Sequence, residues 1–289
     1  MKRIKKMTTF TNQATLIFNG QSTNSNVTTG ELVSGLTMTK TAITDTYGRD
    51  DRVAYIVTIN NAGAAITGAM LTDDLGAYPV GANTVYPLTY LAGSLLYYRN
   101  GALSTGVTAA GGPPLVITGI DIPAGGNVQL VYVATTNEYT PNALGSTVVN
   151  TATLDGMGAE GEITDTATVN AEGDVSLTIA KAICPTTVNE DGTLTYTFII
   201  QNTGNTAVVA TDNLVVNDTF NPILNPITVT LDGAPLTVTT DYTYDTTTGD
   251  FATVPGVVTV PAATYVQDPT TGIYSTTPGV AVLTVVGTV

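Results

Sequence analysis

The sequence predicts an all-β chain of two tandem β-sandwich domains. Three observations carry this. Thr, Val, Ile and Tyr, which suit a pleated, half-buried surface, dominate runs that 29 glycines and 14 prolines break into short segments. No stretch repeats apolar residues at helical spacing. A long segment also occurs twice: LTMTKTAITDTYGRDDRVAYIVTINNAG (36–63) aligns without a gap to LTIAKAICPTTVNEDGTLTYTFIIQNTG (177–204). Lys40, Tyr55, Asn61 and Gly63 thereby fall opposite Lys181, Tyr196, Asn202 and Gly204. Repetition at this scale means two copies of one unit, and 289 residues hold two domains with a core in each.

Taken in order, residues 1–7 hold four of the nine basic residues and are expected to form a flexible basic arm. No continuous apolar run follows, so neither a secretory signal nor a membrane span is expected. Residues 8–30 are expected to form a strand or hairpin out of place. TTFTNQATL (8–16) matches STVVNTATL (146–154), which closes the first repeat, and STNSNVTTGE (22–31) stands where ITDTATVNAE (163–172) stands there. Residues 31–170 make the first domain and 171–289 the second. Between them LTDDL (71–75) aligns with VNDTF (216–220), which pairs Asp73 with Asp218. YRNGAL (98–103) aligns loosely with LDGAPL (231–236), and VQLVYVATT (128–136) with AVLTVVGTV (281–289). The first repeat then continues into two alternating strands; the second has no such continuation. It has instead a longer loop region, 240–278, rich in Asp and Thr.

The chain is thus two repeats cut in a shifted frame. The second domain is expected to lack its closing strand and to act as an acceptor. The N-terminal strand is expected to act as a donor through Phe10, Asn12, Ala14 and Leu16. An unclosed sandwich and an orphan strand each expose unpaired backbone. Two closures follow. The strand can close its own second domain, giving a monomeric adhesin or binding module; the segment between Asn12 and Lys40 can stretch to roughly 90 Å. Or it can close the second domain of another copy by strand addition. Tandem sandwiches lying end to end place the strand far from its own groove, which favours exchange between chains. Such a head-to-tail contact has no reason to stop unless it closes a ring, so it builds a fibre. The expected partner is therefore another copy of the chain, beside an unidentified anchor or tip protein.

Charge narrows the rest. Hydrophobic residues make up 43% and charged residues only 11%, so neutral polar groups must cover the surface. A net charge of −14 argues against nucleic acid and anionic membranes as partners. Beyond residue 6 the only lysines are Lys40 and Lys181, at matching positions in the first strand of each repeat. A core-facing lysine is costly unless paired; Asp73 and Asp218 are the matched partners. Asn150 and Asn12 lie in the closing strand, the natural neighbour of the first. Two outcomes stay open: a buried Lys–Asp pair bonded to Asn, or a Lys–Asn isopeptide bond. For the bond, an apolar site strips the amine of its proton and makes it a nucleophile, while the carboxyl shuttles protons. Lys40, Asp73 and Asn150 would lock the first domain; Lys181, Asp218 and Asn12 would join neighbouring chains. The single cysteine, Cys184, is expected to be a partly buried small residue, or else to pair between chains. There is no histidine, hence no classical triad and no imidazole metal site. No phosphate-binding loop, dinucleotide fingerprint or EF-hand spacing is present. No metal, no cofactor and no enzymatic action on an external substrate are expected.

At these residues the chain resembles a known family. AYIVTINNAG and TYTFIIQNTG, the Asp pair before a turn, and the VNTATL closing strand are similar to the conserved-repeat, immunoglobulin-like domain of bacterial surface proteins. The resemblance implies an immunoglobulin-like β-sandwich, with Lys–Asn isopeptide bonds common among its members. The permuted two-repeat layout resembles clostridial spore-appendage (endospore fibre) subunits. That implies an extracellular or spore-surface location, assembled in the mother cell or exported by a non-classical route.

Overall fold

The computed structural model describes residues 7–33, 35–156 and 161–289. The expected basic arm lies outside the described residues, except for Met7. The chain opens with β1 (Met7–Asn12), β2 (Thr15–Phe18), β3 (Gln21–Asn24) and β4 (Thr28–Val33). These fold on one another: β1 pairs antiparallel with β4, and β2 with β3. The tip is Asn19-Gly20, both in the left-handed region at φ 49° and 77°, which suits the tight turn of a two-residue hairpin. Between the two pairs the register slips by one residue, where the Ser25 N–H donates to Ala14 O, the Ala14 N–H donates to Ser25 Oγ and the Gln13 side-chain amide donates to Ser25 O.

The first domain runs β5 (Leu36–Ala42), β6 (Thr46–Tyr47), β7 (Arg52–Asn61), β8 (Ile66–Asp73), β9 (Tyr78–Val80), β10 (Asn83–Val85), β11 (Leu88–Tyr90), β12 (Leu96–Arg99), β13 (Ala102–Ser104), β14 (Thr108–Gly111), β15 (Leu115–Ile122), β16 (Asn127–Thr136), β17 (Thr147–Asp155) and β18 (Ile163–Ala171). One sheet has the order β13-β12-β16-β7-β5, with β11 also on β16; the other has β14-β15-β8-β17-β18-β6. Period-two alternation decides the core. Val53, Tyr55, Val57 and Ile59 of β7 turn inward, and so do Leu71, Leu115, Ile117 and Leu154 of the facing sheet. Fully burying each such side chain is worth about 1.5–3 kcal/mol.

The second domain runs β19 (Leu177–Cys184), β20 (Thr193–Asn202), β21 (Asn217–Thr219), β22 (Ile227–Leu231), β23 (Ala234–Pro235), β24 (Tyr242–Tyr244), β25 (Asp250–Thr253), β26 (Thr264–Gln267), β27 (Tyr274–Thr277) and β28 (Gly279–Thr288). Its large sheet, β19-β20-β28-β22-β23, repeats the order of the first domain's β5-β7-β16-β12-β13. Its second sheet has only three strands, β21-β25-β24, against six in the first domain. Both domains are therefore β-sandwiches. Tyr196, Phe220, Phe251 and Tyr242 fill the smaller core as an aromatic cluster with ring centroids 4.9–5.6 Å apart. No helix among the described residues is long and apolar enough to cross a membrane.

Candidate functional site

Three places hold the residues singled out by the sequence. The first lies inside the first domain. Lys40 sits at the middle of β5, an edge strand whose alternation is buried at Leu36, Met38 and Lys40. Its Nζ is 2.6 Å from Asp73 Oδ2, with both side chains wholly shielded from solvent. Asp73 ends β8, one strand away from β17, which carries Asn150. The Asp73 carboxylate also accepts bonds from the Tyr132 hydroxyl and, at 3.0 Å, from the Leu75 N–H. The Lys40 backbone N–H donates to Asp165 of β18 at 2.7 Å, which ties the edge of one sheet to the other. Asn150 Oδ1 accepts from the Gly76 N–H at 3.2 Å.

Two polar atoms in this core have no hydrogen-bond partner among the described residues: Asn150 Nδ2 and the Tyr55 hydroxyl. Tyr55 faces Asn150, and its ring lies 5.0 Å from Lys40 Nζ. Buried groups left unbonded are rare and costly. Burial lowers the pKa of Lys40, against the opposing pull of Asp73 and the more distant Asp74 and Asp165. Burial likewise raises Tyr132 and Tyr55 far above the usual phenol range, and the Asp73 charge adds to it. The structure thus places Lys40, Asp73 and Asn150 in one buried polar cluster of the first domain, where burial lowers the pKa of the amine and the Asp73 carboxylate opposes that shift.

The second place is the matching position in the second domain. Lys181 and Asp218 are again paired, through Nζ and Oδ2. The ammonium lies over the rings of Tyr196, Phe198 and Phe220, at 4.5–5.5 Å from their centroids. Here the pair is open: the Lys181 side chain is 39% exposed. β19 is exposed at every position. Ile179 is 59% exposed where the aligned Met38 is 7% exposed. β21 has one strand partner, β25, whereas the matched β8 is held between β15 and β17. No described strand stands in the places that β17 and β18 take in the first domain.

The third place is the N-terminal hairpin. β1 pairs with β4 alone, so Asn12 is not brought to Lys181 and Asp218. Phe10, Asn12, Ala14 and Leu16 are all exposed, and so are Ile17 and Phe18. The sequence suggested one alternating strand through all four; the structure breaks it after Asn12, where the register slips. A hairpin with both faces in water is marginal on its own. Cys184 is exposed at the end of β19, not partly buried as expected, because no described element covers that strand.

Tyr132 was not singled out by the sequence. It aligns with Val285, so a comparison of the repeats passes over it. No group of three metal-binding side chains is found among the described residues.

No family model matches the sequence, and no curated protein matches it. Solved structures do share features of the fold. The major pilin subunit BcpA of Bacillus cereus is 12% identical over 93% of this chain and 73% of that one, with a TM-score of 0.36. The 35 kDa C-terminal fragment of the major pilin GBS80 of Streptococcus agalactiae is 13% identical over 76% and 79%, with a TM-score of 0.34. Full-length SpaD, the major pilin of Corynebacterium diphtheriae, is 11% identical, with a TM-score of 0.36 over 58% of this chain; the chain spans about half of that pilin, 55%.

Proposed function

We propose that this chain is the subunit of an extracellular fibre, built head to tail by strand donation. One observation carries the reading: β5 is buried at alternate positions beneath β17 and β18, while the aligned β19 is exposed throughout. The segment that matches β17 in sequence runs through β1 into β2, on an exposed hairpin at the far end of the same chain. A surface lacking two strands and a hairpin lacking a sheet are complementary, and repeated exchange between copies propagates. We read the fibre as a structural protein of the bacterial surface; a spore-surface location is what the resemblance of the two-repeat layout to spore-appendage subunits implies.

In the first domain the pocket favours bond formation. The Lys40 amine attacks Asn150 Cγ, a C–N bond forms, and the Asn150 Nδ2 departs as ammonia. Asp73 takes the proton from the amine and passes it to the leaving nitrogen, held meanwhile by Tyr132. The atoms balance with no cofactor. In the second domain the same chemistry waits for Asn12 of a neighbouring copy to reach Lys181 and Asp218.

Negative-stain electron microscopy of the full chain tests the assembly. Long thin fibres are expected, and their loss on removing residues 1–20. Compact, uniform particles would sink the reading and leave a self-closed binding module in its place. Intact mass tests the bond in the first domain: the chain should weigh one ammonia less than its composition, and Asn150→Ala should weigh what its composition predicts. Boiled, reduced fibres running only as single chains would rule out the bond between chains.

A further inference from the structure

The joint between the two domains is built from parts that only the second domain has. Where β15 turns into β16, the first domain has a short turn, Pro123-Ala124-Gly125-Gly126. At the matching place, after Pro261-Ala262-Ala263, the second domain carries the hairpin β26–β27. That hairpin reaches back onto the β9–β10 hairpin of the first domain and onto the loop that follows β16. The Tyr274 N–H donates to Glu138 O at 3.0 Å, and Gln267 Nε2 to the Tyr78 hydroxyl at 2.7 Å. Asn83 Nδ2 donates to Thr270 O at 3.3 Å. Gly272, at φ +80°, seats so closely that a Cβ there would lie 2.7 Å from Val85 Cγ1.

A second device sits at the linker. Asn205 Nδ2 donates to Asn142 O at 2.9 Å and to Glu172 O at 2.8 Å, and its Oδ1 accepts from the Asp174 N–H at 2.8 Å. One side-chain amide thus straps the end of the first domain to the start of the second. The residue aligned with Asn205 in the first domain is Ala64, which has no group to do this.

We propose that β26–β27 and Asn205 form a clamp that fixes the second domain against the first, and that among the described residues no matching clamp ties the first domain to the segment before it. Domains joined by a short linker move by default unless an interface holds them. Here the interface is polar, directional and closely packed at Gly272. The clamp rests on contacts within one chain. Its corollary rests on the head-to-tail reading: a fibre of this subunit alternates stiff joints within chains and pliant joints between them.

Spin labels test the clamp in the full chain. With Cys184→Ser as background, labels at Leu103→Cys and Val238→Cys, both exposed, report the distance between domains by double electron–electron resonance. The parent should give a narrow distribution. Replacing residues 264–277 by the Gly-Gly of the first domain should widen it by about twofold, as for domains left to a free linker. The gentler pair Tyr78→Phe and Asn205→Ala, which keeps every strand, should widen it less. Equal widths in the parent and both variants would overturn the clamp. In electron micrographs, bends should fall at every second joint. Bends spread evenly over all joints would overturn the corollary. Absence of fibres would overturn the head-to-tail reading and leave the clamp to the distance measurement.

Discussion

In β5 alternate side chains are buried; in β19, aligned with it residue for residue, none is. Both strands pair along one edge with an equivalent neighbour, β7 or β20, and both carry a lysine aimed at an aspartate. What differs is the cover. β17 and β18 close the first domain and drive Lys40 into a dry pocket; nothing described closes the second, and Lys181 stays wet. Burial is thus set by what a strand is closed with, and the same charged pair is dry under a cover and wet without one.

The sharpest way to break this comparison is to remove each aspartate in turn. Asp73→Ala leaves a fully buried lysine without its counter-charge and should destabilise the first domain by about 3–5 kcal/mol. Asp218→Ala leaves a lysine in contact with solvent and should cost under about 1 kcal/mol in the unassembled chain. Denaturant midpoints of the two unfolding transitions read both; equal losses would erase the distinction between a closed and an open domain.

Trimming the closing strands comes next. Leu154 is fully buried, and Leu154→Ala should cost about 2–5 kcal/mol. Leu16, its match in sequence, is 66% exposed, and Leu16→Ala should stay within about 0.5 kcal/mol in the unassembled chain. Fibre yield should nevertheless fall with Leu16→Ala. A stability loss in the monomer would mean that Leu16 is already buried at home.

Tyr132→Phe removes a hydroxyl that the second domain never had. It should cost about 1–3 kcal/mol, because the buried Asp73 loses a donor. It should also slow the loss of ammonia followed by mass; an unchanged rate would limit Tyr132 to packing.

The smallest effect is a slope with pH. Burial lowers the folded pKa of Lys40, while the unfolded residue holds its proton to about 10.4. Within that window the unfolded chain binds more protons, so the first domain gains stability as pH rises. Above about 10 the trend reverses, because Tyr55 and Tyr132, raised by burial, keep protons that the unfolded chain gives up. Midpoints measured across this range should lose the rising limb in Lys40→Met. The limb should also be absent once Lys40 is bonded to Asn150.

Much of this was legible in the sequence because the repeat writes each element twice. Matching the copies located β5 and β19, β7 and β20, β16 and β28, and the Lys–Asp pairs. The same method hides whatever the copies do not share. Tyr132 escaped because its counterpart is Val285. The β26–β27 hairpin lay inside a region that read as a long loop, because its partners, Tyr78, Asn83 and Val85, are far away in sequence. The break between β1 and β2 also went unread: Asn19-Gly20 marks a turn, but a one-residue slip leaves no trace in an alternating pattern.

The scarcity of lysine has a practical side. Across residues 171–289 the only bond that a trypsin-like protease can recognise follows Lys181. That bond lies in β19, on the open face. A free subunit should therefore be nicked at a single place in its second domain, and an occupied one should be spared. Digestion becomes a count of empty grooves, readable in any mixture without labels or lenses.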